Sequence, residues 1–215
     1  MTELFINQKL NQLLEVDYDN FPENPLDMID ESIKFFIETD NVVADLINEL
    51  FDGDNEAYQV EHDKYTNASD LFEGLSKIAE KQGQLIYPIN KYEHSQVKYY
   101  LGTDQGWDCG IAGFVLVDLK HYKQSYGLDD KTEIENHLDD LLDGFTNYAN
   151  GYVYCANTYQ LNSKGEKEYE IDSLCNLSQD NANVEYLSEA GLLQGNLDDW
   201  NEATTRVYTS YVLAD

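Results

Sequence analysis

The stretch from Leu85 to Leu177 constrains the fold most, because only there do apolar runs, aromatics and turn residues alternate densely enough to require a sheet. Leu85 to Tyr92, Val97 to Leu101 and Ile111 to Leu119 each read as strands, short and bounded by turn chemistry. Lys120 to Tyr126 fits either helix or strand. Thr132 and Glu135 have capping-box spacing and open a helix with Ile134, Leu138, Leu141, Leu142 and Phe145 on one face. Its opposite face carries Glu135, Asp139, Asp140 and Asp143. Tyr152 to Leu161, the turn Asn162-Ser163-Lys164-Gly165 and Lys167 to Leu174 form a hairpin pattern. Val184 to Leu193 reads as helix, and Thr204 to Leu213 alternates like a last strand.

Upstream, the spacing favours helices. Ile6, Leu10, Leu13 and Leu14 fall at i, i+4, i+7 and i+8, which predicts a short amphipathic helix. Asn24-Pro25 has the form of an N-cap and first turn, with Leu26, Ile29, Ile33 and Ile37 following at helical spacing. The sheet propensity of Phe35-Phe36-Ile37 makes a strand over 33–37 the competing reading. Asp40 is positioned to cap a helix bearing Val43, Leu46, Ile47, Leu50 and Phe51, stopped by Gly53. A further helix runs from about Ser69 to Lys81, with Phe72, Leu75 and Ile78 inward. The expected architecture is α+β, a mainly antiparallel sheet with segregated helices. An acidic helical region over 1–82 would precede a sheet domain over 83–215, unless the two are continuous.

Forty-two acids against thirteen bases give a net charge of −29, and Arg206 is the sole arginine. Bidentate phosphate recognition rests mostly on arginine, so direct binding of nucleic acid is disfavoured. Such a surface repels anionic membranes and attracts basic proteins. The apolar share of 42% and aromatic share of 13% nevertheless suffice for a core. Cys109, Cys155 and Cys175 share no short motif, and the opening Met1-Thr2-Glu3-Leu4 has no basic segment. That combination suits a reducing cytoplasm and a packing role for the cysteines.

An ordered string of motifs runs through the middle half of the chain: Tyr87-Pro88-Ile89-Asn90, Tyr92-Glu93-His94-Ser95, Trp107-Asp108-Cys109-Gly110, Gly151-Tyr152-Val153-Tyr154 and Ile171-Asp172-Ser173-Leu174-Cys175. It resembles an uncharacterised family of phage and mobile-element proteins of Gram-positive bacteria. There the corresponding turn reads Trp-Asp-Ser-Gly; here Cys109 replaces the serine. The family's basic, His-containing segment is replaced by Phe36-Ile37-Glu38-Thr39-Asp40. The resemblance implies a mobile-element origin and no particular activity.

Three chemical readings compete. Cys109 in Gln105-Gly106-Trp107-Asp108-Cys109-Gly110, with His94 or His121 as base, would be the nucleophile of a cysteine hydrolase. Against that, a strand follows where a papain-type loop leads into a helix, and the loop reads equally as a tight turn with Trp107 packed. Asp52, Asp54, Glu56 and Asp63 approach calcium-loop spacing, but Ala57 stands where the loop requires Gly and Asp63 where it requires Glu. His137 with Glu133 and Asp140 could face a metal, although one histidine on an acidic helix face is ordinarily solvated. No cofactor is expected.

The third reading rests on the acids. Asp27, Asp30 and Glu31, then Asp45, Glu49 and Asp52, then Glu135, Asp139, Asp140 and Asp143 recur at three- and four-residue steps. Like charges at that spacing destabilise a helix by a few tenths, about 0.2–0.5 kcal/mol per pair, so stability alone does not select them. A solubilising surface explains them blandly. Mimicry of nucleic acid explains them functionally, through a row of carboxylates that a basic DNA channel accepts in place of its substrate. The expectation is therefore a non-enzymatic inhibitor acting in the host cytoplasm on a Cas nuclease or restriction enzyme. A cysteine-dependent hydrolase using Cys109, or a generic acidic adaptor or calcium-binding module, is the alternative.

Overall fold

A computed structural model describes residues 2–39, 41–52, 68–103 and 106–203, with the backbone alone for 68–71. The chain divides into two compact units, one built from 1–24 with 147–215 and the other from 25–146. The break expected after residue 82 thus falls inside the second unit, and the first 24 residues belong with the C-terminal ones. Every pairing between described strands is antiparallel, and the α+β class holds.

In the first unit the expected N-terminal helix is instead a hairpin of β1 (Glu3–Asn7) and β2 (Gln12–Tyr18). The reason lies in burial on both faces. Leu14 and Val16 pack into a core with Ala156, Leu177, Leu187 and Trp200. Leu13 and Ile6 pack on the other side with Leu161 and Ala203. A strand covered on both faces shows no period of two, and its apolar residues can fall at helical spacing by coincidence. The Asn7 side chain sets the turn by accepting the amides of Lys9 (3.1 Å) and Leu10 (3.2 Å).

The five-stranded sheet has the order β8-β7-β2-β1-β9. Here β7 is Tyr154–Leu161, β8 is Lys167–Leu177 and β9 is Trp200–Ala203. The expected β7–β8 hairpin is present, its turn held by Asn162 Oδ1 accepting the amides of Lys164 (2.8 Å) and Glu166 (3.0 Å). The helix expected over 184–193 is shorter, Val184–Glu189, and is capped by Asn183. The strand expected over 204–213 lies outside the described residues.

The second unit opens with a 3-10 turn, Pro25–Met28, followed by β3 (Ile33–Ile37). The strand reading over 33–37 therefore prevails over the helical one. Its partner β6 (Cys109–Asp118) carries Gly113, where an added Cβ would sit 2.0 Å from the carbonyl oxygen of Phe36. Only glycine allows the two strands to approach so closely. With β4 (Gln84–His94) and β5 (Gln96–Leu101) they form a sheet of order β3-β6-β4-β5.

Helices cover both sides of this sheet. Ile86, Phe114 and Leu116 receive Leu46, Ile47 and Leu50 of α1 (Val42–Leu50) and Leu75 and Ala79 of α2 (Ala68–Lys81). The cap of α1 among the described residues is Asn41, which accepts the amide of Ala44 at 3.1 Å; Asp40, expected in that role, lies outside them. The ambiguous segment after β6 is helix α3 (Leu119–Tyr126), capped by Asp118 and stopped by Gly127 at φ 73°. Helix α4 (Lys131–Ala149) buries Ile134, Leu138, Leu142 and Phe145 as expected, and the Phe145 ring lies 4.9 Å from that of Tyr99. Its cap is Asp130, whose Oδ1 accepts the amides of Thr132 (2.9 Å) and Glu133 (3.3 Å); the Thr132 capping box is superseded. No described helix is long and apolar enough to cross a membrane.

Candidate partner-binding surface

All ten acids singled out in the sequence belong to the second unit, but the structure gives them different work. Asp27 is exposed in the 3-10 turn. Asp30 Oδ1 accepts the amide of Ser32 at 2.9 Å. The Ser32 hydroxyl and amide hold the Asp30 carboxyl below its usual range. Asp45 accepts the Thr39 hydroxyl at 2.6 Å, and Glu49 pairs with Lys34 at 2.5 Å. Asp52 follows α1 in the left-handed region at φ 49°.

On α4 the expected single acidic face splits. Glu135 lies 3.7 Å from Lys131, and Asp139 Oδ1 accepts the amide of Leu101 at 3.1 Å. Both flank the buried stripe. Successive residues of an α-helix turn by about 100°, which puts Glu133, Asp140 and Asp143 on the side opposite Ile134, Leu138, Leu142 and Phe145. Those three are exposed, and no hydrogen bond or ion pair from a described residue reaches their carboxylates. The same is true of Glu31. The outward set on α4 is therefore Glu133, Asp140 and Asp143; the sequence pattern groups Glu133 with His137 and leaves it out of the acidic row.

His137 is half-buried against two tyrosines. Its Nδ1 lies 2.5 Å from the Tyr122 hydroxyl, and its ring packs 4.6 Å from that of Tyr126. The calcium-loop residues Asp54, Glu56 and Asp63 lie outside the described residues. Cys109 Sγ sits 3.8 Å from the Tyr100 hydroxyl. His121 lies beyond the far end of β6, with Nδ1 3.0 Å from Asp118 Oδ2. At about 3.4 Å per strand residue, the length of β6 separates His121 from Cys109 by roughly 30 Å of chain. His94, the other candidate base, has its Nδ1 3.4 Å from Asp108 Oδ2.

Two expectations are corrected here. Cys155 and Cys175 form a disulfide between β7 and β8, so their role is covalent pairing and they lend no support to a reducing compartment. The pair meets where Cys175 and Asn176 oppose the single residue Cys155, a bulge with Asn176 at φ 58°. Cys109 is the free cysteine among the described residues. Trp107, expected to be packed, is 96% exposed.

At one end of the second sheet, Glu38 ties three strands together. Its carboxylate accepts Lys91 Nζ at 2.7 Å and the Tyr99 hydroxyl at 2.5 Å. The Lys91 ammonium, then Tyr99, holds Glu38 below the usual carboxylate range, and the same contact raises Lys91. Burial, reinforced by the Glu38 hydrogen bond, pushes Tyr99 up to about 12. Asp118 is lowered: burial works to raise it, but the hydrogen bonds from the His121 amide and ring prevail.

Compared with protein-family models, curated proteins and solved structures, the chain matches none.

Proposed function

We propose that the chain is an acidic inhibitor carried by a phage or mobile element, which occupies the nucleic-acid site of a host nuclease of the Cas or restriction type. The observation that carries this reading is the outward row Glu133, Asp140 and Asp143 on α4, left without cationic partners among the described residues in a chain of net charge −29. Competition, not catalysis, is the mechanism. A basic channel lined with Lys and Arg accepts the carboxylates where it would otherwise hold phosphates.

Charge density limits how such a mimic works. Glu133 to Asp143 spans ten residues, or about 15 Å of helix. Duplex DNA carries roughly nine charges over that length. Three carboxylates supply a third of this, so a mimic recruits acids from further faces, with Glu31 and Asp27 as exposed candidates.

The test is a competition titration with labelled DNA, a candidate nuclease and increasing protein at two salt concentrations. The expected result is mutual exclusion of DNA and protein, with apparent affinity falling as salt rises. A stable ternary complex with DNA in its usual site overturns the reading.

A further inference from the structure

We propose that the end of the second sheet bearing Trp107 is a docking surface for an arginine-bearing segment of a basic protein. This rests on the reading that the partner is basic, and adds where and through which chemistry it is held.

The first observation is that the turn carrying Trp107 is held without its side chain. The amide of Cys109 donates to the Gly106 carbonyl at 3.3 Å, and the amide of Glu93 donates to the Asp108 carbonyl at 2.9 Å. Asp108, at φ 67°, also reaches His94 with its carboxylate. The indole itself is 96% exposed, the highest exposure of any large apolar side chain among the described residues. A bare indole on a braced turn contributes nothing to the core and leaves a large apolar area in water.

The second observation is a shallow, open depression of about 580 Å³ that starts at the next residue, Asp108, and is also lined by Glu38, Lys91, Glu93, Gly110 and Ile111. Three carboxylates face one ammonium, and that ammonium is already engaged by Glu38 (2.7 Å) and Glu93 (3.0 Å). Ile111 is 54% exposed, and a Cβ added at Gly110 would meet no atom within 4 Å. An exposed indole one residue from a depression with surplus carboxylates suits a guanidinium: planar, able to stack on an indole and to bond a carboxylate through two parallel donors. Lysine offers only a point charge. Charge complementarity therefore selects a basic protein, and the indole selects arginine within it.

The experiment uses the full chain and two labelled peptides of equal length, one arginine-rich and one lysine-rich, followed by fluorescence anisotropy. The arginine peptide should bind several-fold more tightly than the lysine peptide. Trp107→Ala should weaken the arginine peptide about tenfold or more, as expected of a central aromatic anchor. Trp107→Phe should restore part of the loss. The melting temperature should stay within a degree of the parent, and the double variant Asp140→Asn, Asp143→Asn should change peptide affinity less than Trp107→Ala does. Equal affinity for the two peptides overturns the proposal, as does Trp107→Ala binding within twofold of the parent. A concentration-dependent dimer abolished by Trp107→Ala also overturns it, by making a second copy the occupant. Neither nuclease nor DNA is present, so this result and the competition titration can fail independently.

Discussion

The carboxylate of Asp139 accepts the backbone amide of Leu101 at 3.1 Å, and two turns later the Thr146 hydroxyl accepts that of Tyr99 at 3.0 Å. Both amides belong to β5, the strand at one edge of the second sheet, and point away from β4. Helix α4 thus closes an edge that would otherwise offer its donors to another chain. An acid that charge counting assigns to a partner is here part of the fold.

Asp139→Ala should accordingly destabilise the protein by about 1 kcal/mol, since a hydrogen bond to a charged acceptor contributes about 1.5–3 kcal/mol and water screens this exposed one. Asp139→Asn, which keeps an acceptor oxygen, should cost less. Denaturant melts of both variants check this. An Asp139→Ala protein of parental stability would return the residue to the surface.

What the sequence revealed tracks where burial is one-sided or the turn chemistry is strong. β4, β5, β6 and the β7–β8 hairpin were legible because apolar runs there end at Ser95, Gly102 and Asn162 to Gly165. β1 and β2 were not, since Leu13 and Leu14 are buried on opposite faces and erase the alternation. Caps shifted by a residue or two, from Thr132 to Asp130, because adjacent side chains were equally able to accept the first amides. The disulfide was hidden because its partners meet only through the strand register. The tight-turn reading packs Trp107 on residue type alone, and nothing in its neighbours' spacing signals exposure.

The Glu38 cluster should give stability a dependence on pH at both limits. Glu38 has a folded pKa below its unfolded value, so its contribution is full above the ordinary glutamate range and is lost as pH falls through the depressed value. Tyr87, Tyr99 and Tyr122 are each pushed up to about 12, chiefly by burial, and their contribution is full below about 10 and lost as pH rises towards 12. Melting temperature against pH should therefore fall at both ends. Glu38→Gln should flatten the acid limb, and ultraviolet titration should show a late-ionising group of tyrosines. An acid limb unchanged in Glu38→Gln would remove the cluster as its source.

Closing a loop of 20 residues, the Cys155–Cys175 disulfide should stabilise the first unit by about 3 kcal/mol through the unfolded state. Non-reducing alkylation of the unfolded chain should label Cys109 alone, and labelling after reduction should reach all three cysteines. The double variant Cys155→Ser, Cys175→Ser should melt lower and become insensitive to reductant. Equal melting of the parent with and without reductant would show that the bond contributes nothing.

The outward row on α4 supplies the sharpest contrast with Asp139. Asp140→Lys with Asp143→Lys changes net charge by four, on a face that touches no core residue. Stability should stay within about 0.5 kcal/mol of the parent, as for other surface substitutions away from packed features. Asp140 and Asp143 stand three apart and repel, lysines there repel in turn, and a cation at 143 gains Asp139 four residues before it, so α4 should not be weakened. Displacement of DNA from a susceptible nuclease should nevertheless weaken by an order of magnitude or more at low salt, and the difference should narrow as salt screens the contact. The control is the matched reversal of Glu168 and Glu170 on β8, exposed acids of the first unit, which changes charge equally in a different place. If both reversals weaken displacement alike, net charge is responsible and the α4 row is not an interface. Loss confined to α4, with melting unchanged, separates a carboxylate that meets the partner from one that holds the fold.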